Sequence, residues 1–568
     1  MDPNLKIAFG LIGGLALFLY GMNGMSDSLQ KVAGERMKKI LGLLTKNPVF
    51  GALAGMLVTA VLQSSSATTV MVIGFVSARL MTLPQAISVI FGANIGTTMT
   101  AQLMAFKLSN YIYPIIFVGF LMNFIAKTER VKNIGLVIFN FGLLFEGIEI
   151  MGHVMKPLAT SPFFVDLMGQ VANTPILGLL LGAGMTIVVQ SSSATIAVLQ
   201  NFASQAGPDG VSSIIGLTGA IPILLGDNIG TTITALLACI GQSKNAQRTA
   251  VAHSVFNISG SIVFLCIIPF FAQFVAWISP KGPELEIIAR QIANAHTAFN
   301  ITATLIWLPL IPVMVKIVKF IIRGEDASEK TSYEPHFLDN KVLGQPSAAM
   351  YLISKELEHL SGMTTDMMTK LRDSISGKSQ AVTAFNDSHQ GVKALQDTIA
   401  DYITHLFSRG SLTDHQAEQT AGLLFVANHI DHIADRCSEV NDFTVNARQN
   451  GKGLSSKAVS EVEECLDISK KMFSQAMLAV KEGKAEAAKS VSAENHELHQ
   501  IQKQYYRNHL DRVHDNSCDP ALTTDYASIL YSMDRMADNC VGIAEEAMDN
   551  ASFVNLEKPD LADEGGSK

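Results

Sequence analysis

The word Gln63-Ser64-Ser65-Ser66-Ala67-Thr68-Thr69 interrupts a long apolar stretch and returns as Gln190-Ser191-Ser192-Ser193-Ala194-Thr195. A chain that breaks inside lipid leaves backbone and hydroxyl groups without water, at several kcal/mol for each one left unpaired. Such a break therefore lines a cavity, packs inside protein or holds a ligand. Two copies point to one site assembled from two halves.

The repeat extends well beyond these words. At an offset of 127, Phe18 falls on Phe145, Pro48 on Pro175, Gly51 on Gly178, Gly55 on Gly182 and Thr59 on Thr186. Further on, Gly92-Ala-Asn-Ile-Gly-Thr-Thr98 recurs as Gly226-Asp-Asn-Ile-Gly-Thr-Thr232 at an offset of 134, which places a seven-residue insertion near Ala206-Gly-Pro-Asp-Gly210. Small polar residues in membrane helices often serve packing alone. Two matched motifs in the same order weigh against that reading here.

Charge divides the chain. Residues 1–323 hold 19 Lys and Arg against 11 Asp and Glu, and the remainder holds 23 against 39. The expectation is an integral membrane region followed by a soluble acidic domain, whose charge argues against nucleic acid as a partner. The six cysteines show neither a zinc spacing nor a disulfide framework. The first apolar segment is too long and too poorly flanked for a cleaved signal peptide.

Apolar segments run roughly over 5–25, 49–80, 83–106, 110–126, 133–152, 175–204, 214–241, 250–276 and 291–315. Most are long enough to span a bilayer, which takes about 20 helical residues. The segments at 49–80 and 175–204 carry the polar breaks. If both are re-entrant hairpins, 14 of the 19 basic residues before residue 324 fall on one side, which basic loops mark as cytoplasmic. That gives seven crossings, an N-terminus outside and a C-terminal domain in the cytoplasm. It also sets the basic loop 26–47 opposite its counterpart 153–174, so the two repeats run in opposite orientation. Inverted repeats with matched interruptions mark secondary transporters. The fold class expected is all-α: a polytopic membrane protein with two inverted repeats and re-entrant helical hairpins, then a soluble helical bundle. The membrane domain spans 1–323, with repeats near 5–126 and 133–276 and a final helix at 291–315.

Serine and threonine hydroxyls and helix N-termini donate to anion oxygens, whereas amide, hydroxyl and backbone oxygens ligate sodium. The mixture fits a small oxyanion held by Gln63, Ser64, Ser65, Ser66, Gln190, Ser191, Ser192 and Ser193. Sodium would sit near Thr68, Asn94, Thr97, Thr98, Thr195, Asp227, Asn228, Thr231 and Thr232. No Lys or Arg lies near the motifs, so a coupling cation could supply the positive charge. Asp227 is the carboxylate of the motif pairs, and an intramembrane carboxylate is a functional candidate by default. The first copy has Ala93 there, so the halves are unequal. Glu146 and Glu149 read as interfacial, and His253 and His296 as packing or hydrogen-bonded residues rather than proton relays.

The duplicated words, each followed by G-x-N-I-G-T-T, together with Ala252-His-Ser-Val-Phe-Asn257 and Ala295-His-Thr-Ala-Phe-Asn300, resemble the sodium/phosphate cotransporter family over residues 1–320. The resemblance implies inorganic phosphate held between re-entrant hairpins with sodium as coupling ion. The expected function is a sodium-coupled phosphate symporter of the cytoplasmic (inner) membrane. An exporter, or a carrier of another oxyanion, is the alternative, and a membrane-anchored metal-dependent regulator is a third reading. No nucleophile–base constellation or nucleotide-binding loop points to an enzyme or a primary pump.

Residues 324–346 read as a polar linker. Helical patterns follow over about 347–372, 380–409, 413–449, 457–480, 486–515 and 522–550. Asp431-His-Ile-Ala-Asp435-Arg-Cys437 aligns with Asp534-Arg-Met-Ala-Asp538-Asn-Cys540 at an offset of 103, so two three-helix units are expected in a domain over 347–550. This part resembles the PhoU-like domains, which implies a regulatory role and a divalent metal at Asp431 with Asp435 and at Asp534 with Asp538. The tail 551–568 reads as disordered, and a homo-oligomer is compatible with the sequence.

Overall fold

The computed structural model describes residues 3–41, 47–106, 108–159, 161–324, 334–378, 380–409, 412–449, 453–483, 485–549 and 552–553. Among these, every regular element is helical, and the chain forms two compact units that meet in sequence near residue 326. The first unit holds α1 (Pro3–Leu41), α2 (Pro48–Leu62), α3 (Ser65–Ser77), α4 (Leu83–Met104), α5 (Ile112–Ile125), α6 (Glu129–Ala159), α7 (Pro162–Asn173), α8 (Pro175–Val189), α9 (Ser192–Ala203), α10 (Gly216–Gly230), α11 (Thr232–Ala238), α12 (Lys244–Cys266), α13 (Ile268–Ile278), α14 (Glu284–Trp307) and α15 (Ile311–Ile321). The second holds α16 (Pro346–Ile375), α17 (Ala381–Ser408), α18 (Asp414–Gln449), α19 (Ser456–Glu482), α20 (Ala485–His514) and α21 (Thr523–Asp549).

The six helices of the second unit fall within a few residues of the six periodic segments. They form two antiparallel triplets, α16–α18 and α19–α21, joined through packing of α18 on α21 and of α16 on α19. The second triplet is tied by a half-buried charge cluster. Arg512 on α20 grips Glu461 on α19 with two bonds of 2.9 and 2.7 Å, and the Tyr526 hydroxyl of α21 donates to the same carboxylate at 2.5 Å. Burial alone would raise the Glu461 pKa, but the donors around it hold the carboxyl below its usual range. The expected linker is shorter than the sequence pattern indicates. Backbone N–H groups of His336, Phe337 and Leu338 all donate to the fully buried Glu356 carboxylate, and the Tyr402 hydroxyl donates to the Asp339 carbonyl at 3.0 Å. Residues 334–345 thus belong to the helical unit. Most of the expected tail lies outside the described residues. Ser552 and Phe553 are held, by Gln419 and by the Val480 carbonyl.

In the first unit, four helical stretches are long and apolar enough to cross a membrane alone: Leu5–Ala33, Glu129–Pro157, Gly216–Ala238 and Lys244–Cys266. Three further pairs qualify only jointly and are bent, α4 with the helical stretch Ser109–Ile125 by 77°, the end of α7 with α8 by 111°, and α14 with α15 by 88°. Residues 26–41, read as the start of a loop, continue α1, and residues 162–173, read as part of a loop, form α7. The segments at 250–276 and 291–315 each break once, at Ile267 and near Leu308–Leu310, just ahead of Pro269 and Pro312 in the first turns of α13 and α15.

Both polar words break their helices and fold them back. Gln63 and Gln190 take left-handed backbone angles (φ 51° and 57°), and Ser64 and Ser191 cap α3 and α9. Thr59 bonds Thr68 at 2.8 Å, and Thr186 bonds Thr195 at 3.0 Å, each across nine residues. In an unbroken helix those residues would stand about 13 Å apart along the axis. The two segments are therefore helical hairpins. Contacts pair off between equivalent elements: α3 packs on α11 and α12, α9 on α4 and α14, α13 on α10, and α15 on α4. Such exchange of equivalent contacts is the mark of a two-fold relation.

Glycines set how closely the hairpins approach the second motif. A Cβ on Gly92 would overlap the Ala52 carbonyl oxygen, and one on Gly55 that of Val89; Gly226 and Gly182 stand in the same relation to Leu179 and Ile223. The helix pairs α2–α4 and α8–α10 pack backbone on backbone, and the outer letters of G-x-N-I-G are there for this contact. Gly92→Ala and Gly226→Ala should each lower the stability of the detergent-solubilised protein by about 1–3 kcal/mol, as forced overpacking does. A melting temperature unchanged in both variants would contradict the packing.

Candidate functional site

In the first half, the break exposes the N-terminal turn of α3. The Ser64 hydroxyl accepts from Ala67 N–H at 3.1 Å and the Ser64 carbonyl from Thr68 N–H at 3.2 Å. The N–H groups of Ser65 and Ser66 precede any helical acceptor. Gln63 is buried, and its Oε1 accepts from Thr100 on α4 at 2.8 Å. Asn94, in the second motif, donates to the Ile90 carbonyl at 2.9 Å, and its Oδ1 meets Nε2 of His253 on α12 at 3.2 Å. Asn257, one turn further along α12, lies 3.5 Å from the same Oδ1.

The second half repeats this build. Ser191 caps α9 through Ala194 N–H at 3.3 Å, Asn228 donates to the Leu224 carbonyl at 3.0 Å, and Asn228 Oδ1 meets Nε2 of His296 on α14 at 3.2 Å. Three features differ. Asp227, fully buried, takes the Thr186 hydroxyl on Oδ1 at 2.6 Å where the first half has Ala93. Gln190 is exposed, and its amide reaches only the Ile187 carbonyl, at 3.4 Å. Thr234, the counterpart of Thr100, donates instead to Ser66 of the other repeat at 3.0 Å.

The sequence-selected residues therefore gather on two neighbouring hairpins and the helices they pack against. Ser66 touches the second repeat directly. Gln200 of α9 reaches back to the Ala101 carbonyl of α4 at 3.1 Å. Ser65 and Ser193 are buried, while Ser64, Ser66, Ser191 and Ser192 are partly exposed. No bond joins one polar word to the other among the described residues. The threonines of the second motif bond their own helices: Thr97 to the Ala93 carbonyl, Thr98 to Ile95, Thr231 to Asp227 and Thr232 to Ile229. Each hydroxyl oxygen keeps lone pairs beyond that bond.

His253, His296, Asn257 and Asn300 complete the two halves and were not selected from the sequence as site residues. Their signal was present. His253 and His296, Asn257 and Asn300, and Pro269 and Pro312 all recur at an offset of 43. The pair α12–α13 is thus a copy of α14–α15, and each copy closes one half. The two halves are not continuous in the chain, which hides this from a scan for one tandem repeat.

The acidic faces of the helical unit are paired with basic side chains. Asp431, His432 and Asp435 can bring ligand atoms within 4.8 Å of one another. Lys393 Nζ already lies 2.7 Å from Asp431 and 3.1 Å from Asp435. Burial tends to lower the Lys393 pKa, but the two carboxylates hold it above its usual value, so an ammonium bridges them. In the other triplet, Asp534 pairs with His499 at 2.9 Å and Asp538 with Arg535 at 3.2 Å.

Residues 17–153 and 154–301 match the family described as Na+/Pi-cotransporter, and residues 462–547 match the PhoU domain. The chain is 33% identical over 270 residues to the uncharacterized Bacillus subtilis protein YqeW, covering 48% of this chain and 85% of that one. It is 24% identical over 561 residues to YjbB of Salmonella typhimurium, provisionally named for inorganic phosphate export, covering 98% of both. A 144-residue stretch is 37% identical to human sodium-dependent phosphate transport protein 2B, covering 23% of this chain and 19% of that protein. No solved structure matches the chain.

The Lys393 arrangement gives a direct expectation. Lys393→Ala should bind Mn2+ more tightly than the unaltered domain in calorimetry, because it frees two carboxylates one helical turn apart. Equal affinity would show that Asp431 and Asp435 do not form a latent cation site.

Proposed function

The chain belongs to the Na+/Pi-cotransporter family and is a phosphate-transport protein, and from that premise we propose that it is a sodium-coupled phosphate symporter of the cytoplasmic membrane with a regulatory C-terminal helical domain. The observation that carries this reading is the pair of half-helix N-termini at Ser65 and Ser192, each set at a hairpin tip. Free first-turn N–H groups and the positive end of the helix dipole favour an oxyanion. The hydroxyls of Ser64, Ser65 and Ser66, with those of Ser191, Ser192 and Ser193, add donors. None of the side-chain bonds described for the two words involves Lys or Arg. An anion held by neutral donors is stabilised by a cation bound beside it, which makes joint binding of sodium and phosphate favourable and couples their movement.

The cell's inward sodium gradient would drive uptake. Export is the second reading, and the observation favouring it is the end-to-end similarity to YjbB, helical domain included. The basic-residue asymmetry supports an inside position for the turn at 127–132 and for everything after residue 323, with the loop at 205–213 outside.

Reconstituted in liposomes, the full chain should accumulate labelled phosphate under an inward sodium gradient and release it when the gradient is reversed. Flux that is indifferent to sodium would overturn the coupled reading. Ser65→Ala and Ser192→Ala should each reduce flux about tenfold or more, the scale of losing one charge-assisted hydrogen bond. In a background lacking native cysteines, single cysteines at Thr128 and Asp209 should react from opposite sides of the cell membrane. Reaction of both from outside would reject the topology.

A further inference from the structure

The two repeats close differently at the far ends of their hairpins. α4 and α11 end on Met104 and Ala238, which correspond at an offset of 134, so in the turns beyond them Leu108 falls on Gln242. The ends of α3 and α9 correspond at an offset of 127, which sets Ser77 on Ser204. Along the seam of α3 with α11, the Ser77 hydroxyl donates to Gln242 Oε1 at 2.5 Å. Along the equivalent seam of α9 with α4, Ser204 turns back to the Gln200 carbonyl at 2.8 Å, and the leucine side chain at 108 carries no polar atom to meet it.

A cavity of about 400 Å³ lies where that second bond is missing. Leu108 and Ser204 both line it, together with Gln200 and Ala289, and His153 and Lys156 stand exposed at its rim. Ala289 is partly exposed there, whereas its counterpart at an offset of 43, Ala246, is fully buried. Nearer the hairpin tips the asymmetry has the same sense. Ser66 of α3 meets Thr234 of α11 at 3.0 Å, but Thr100 of α4 is held by Gln63 of its own hairpin, and no bond joins Ser193 to α4 among the described residues. Gln200 crosses the α9–α4 seam to the Ala101 carbonyl at 3.1 Å, and the cavity runs along the ends of both helices. One seam is thus latched at its tip and at its end, and the other is open at its end.

On the topology proposed above, Ser77 and Gln242 face the cytoplasm and the cavity faces outside. We propose that Ser77 and Gln242 form the cytoplasmic gate of the phosphate route, shut in this structure while its equivalent at Ser204 and Leu108 stands open. Inverted repeats exchange conformations when a carrier turns over. Opening toward the cytoplasm therefore requires the Ser77–Gln242 bond to break and the cavity at Ser204 to close. Leucine at 108 leaves the outer closure without the polar latch that the inner one has. A bond made in only one of two states favours that state, by about two- to tenfold for a single hydrogen bond. Gln242 thus sets a bias toward the state open to the outside. This inference rests on the topology and the transport reading above and adds the residues that govern access.

The test is thiol labelling of the full chain in a background lacking native cysteines, with an impermeant reagent on one side of sealed vesicles at a time. Ala289→Cys reports the outer cavity and Ala246→Cys the inner end. Gln242→Leu, which copies the outer pair, should slow outside labelling of Ala289→Cys and speed inside labelling of Ala246→Cys. The ratio of the two rates should fall about two- to tenfold, the scale of one hydrogen bond. Ser77→Ala should do the same. Leu108→Gln, which offers Ser204 a partner, should also lower the ratio with the inner gate intact. An unchanged ratio in Gln242→Leu and Ser77→Ala overturns the proposal. Faster labelling of both reporters overturns it too, because that marks loosened packing rather than a gate. If Ala246→Cys does not fold, Ala289→Cys decides alone, since losing the inner latch slows it and loosening speeds it. Reaction of Ala289→Cys only from the cytoplasmic side would overturn the topology, and an unaltered protein that moves no phosphate would overturn the transport reading. In both cases the response of the label to Gln242→Leu still decides the latch.

Discussion

A helix that stops inside an apolar environment must find partners for the backbone groups it releases, and the membrane unit is arranged around two such stops. Each is solved within a few residues. A left-handed glutamine turns the chain, a serine caps the next helix, and a threonine on one arm bonds a threonine on the other. A non-glycine residue in this conformation is uncommon and costs of order 1 kcal/mol or more. Glycine would relieve that cost but could not anchor the turn, and Gln63 uses its side chain to reach Thr100. Gln63 thus joins backbone geometry to tertiary attachment, whereas Gln190 bonds only within its own turn.

From the hairpins the rest of the packing follows. Their first arms must lie close against α4 and α10, and glycine on both sides of each interface permits backbone contact. That closeness brings the intervening asparagines of the second motif into the interior, where Nδ2 bonds the helix and Oδ1 needs a donor. The imidazoles of α12 and α14 supply it. The motif G-x-N-I-G-T-T therefore serves two purposes, with glycines for approach and the asparagine to orient a histidine on a neighbouring helix.

The parts legible in the sequence were those with a local cause. The polar words, their duplication and the six amphipathic helices of the acidic half all appear as short-range patterns, and the structure places them within a few residues of those patterns. The missed parts have long-range causes. Residues 26–41 and 162–173 are charged or mixed in character, yet continue or form helices. The closure of each half by α12–α13 or α14–α15 depends on segments far from the hairpins in the chain. Segment 334–345 looks like a linker because it is polar, but its backbone is fixed by a carboxylate one helix away, Glu356. Lys393 between Asp431 and Asp435 shows the same limit: spacing along one helix reveals a paired acidic face but not the ammonium brought to it by the helix beside it.

The inequality of the halves is as informative as their likeness. Thr100 and Thr234 are equivalent residues, yet one holds the glutamine of its own hairpin and the other a serine of the opposite hairpin. Gln63 is correspondingly buried and Gln190 exposed. A duplicated carrier whose halves were identical in sequence could exchange these two contact patterns at no net cost, and neither side of the membrane would be favoured. Asp227 breaks that degeneracy. Its buried carboxylate, tied to Thr186 near the tip of the second hairpin, has no counterpart at Ala93. A cation bound beside it acts on one hairpin more than on the other, and a ligand can shift a two-state equilibrium only through such a difference in affinity. The one substitution that separates two otherwise matching motifs therefore places a buried carboxylate against one hairpin and none against the other.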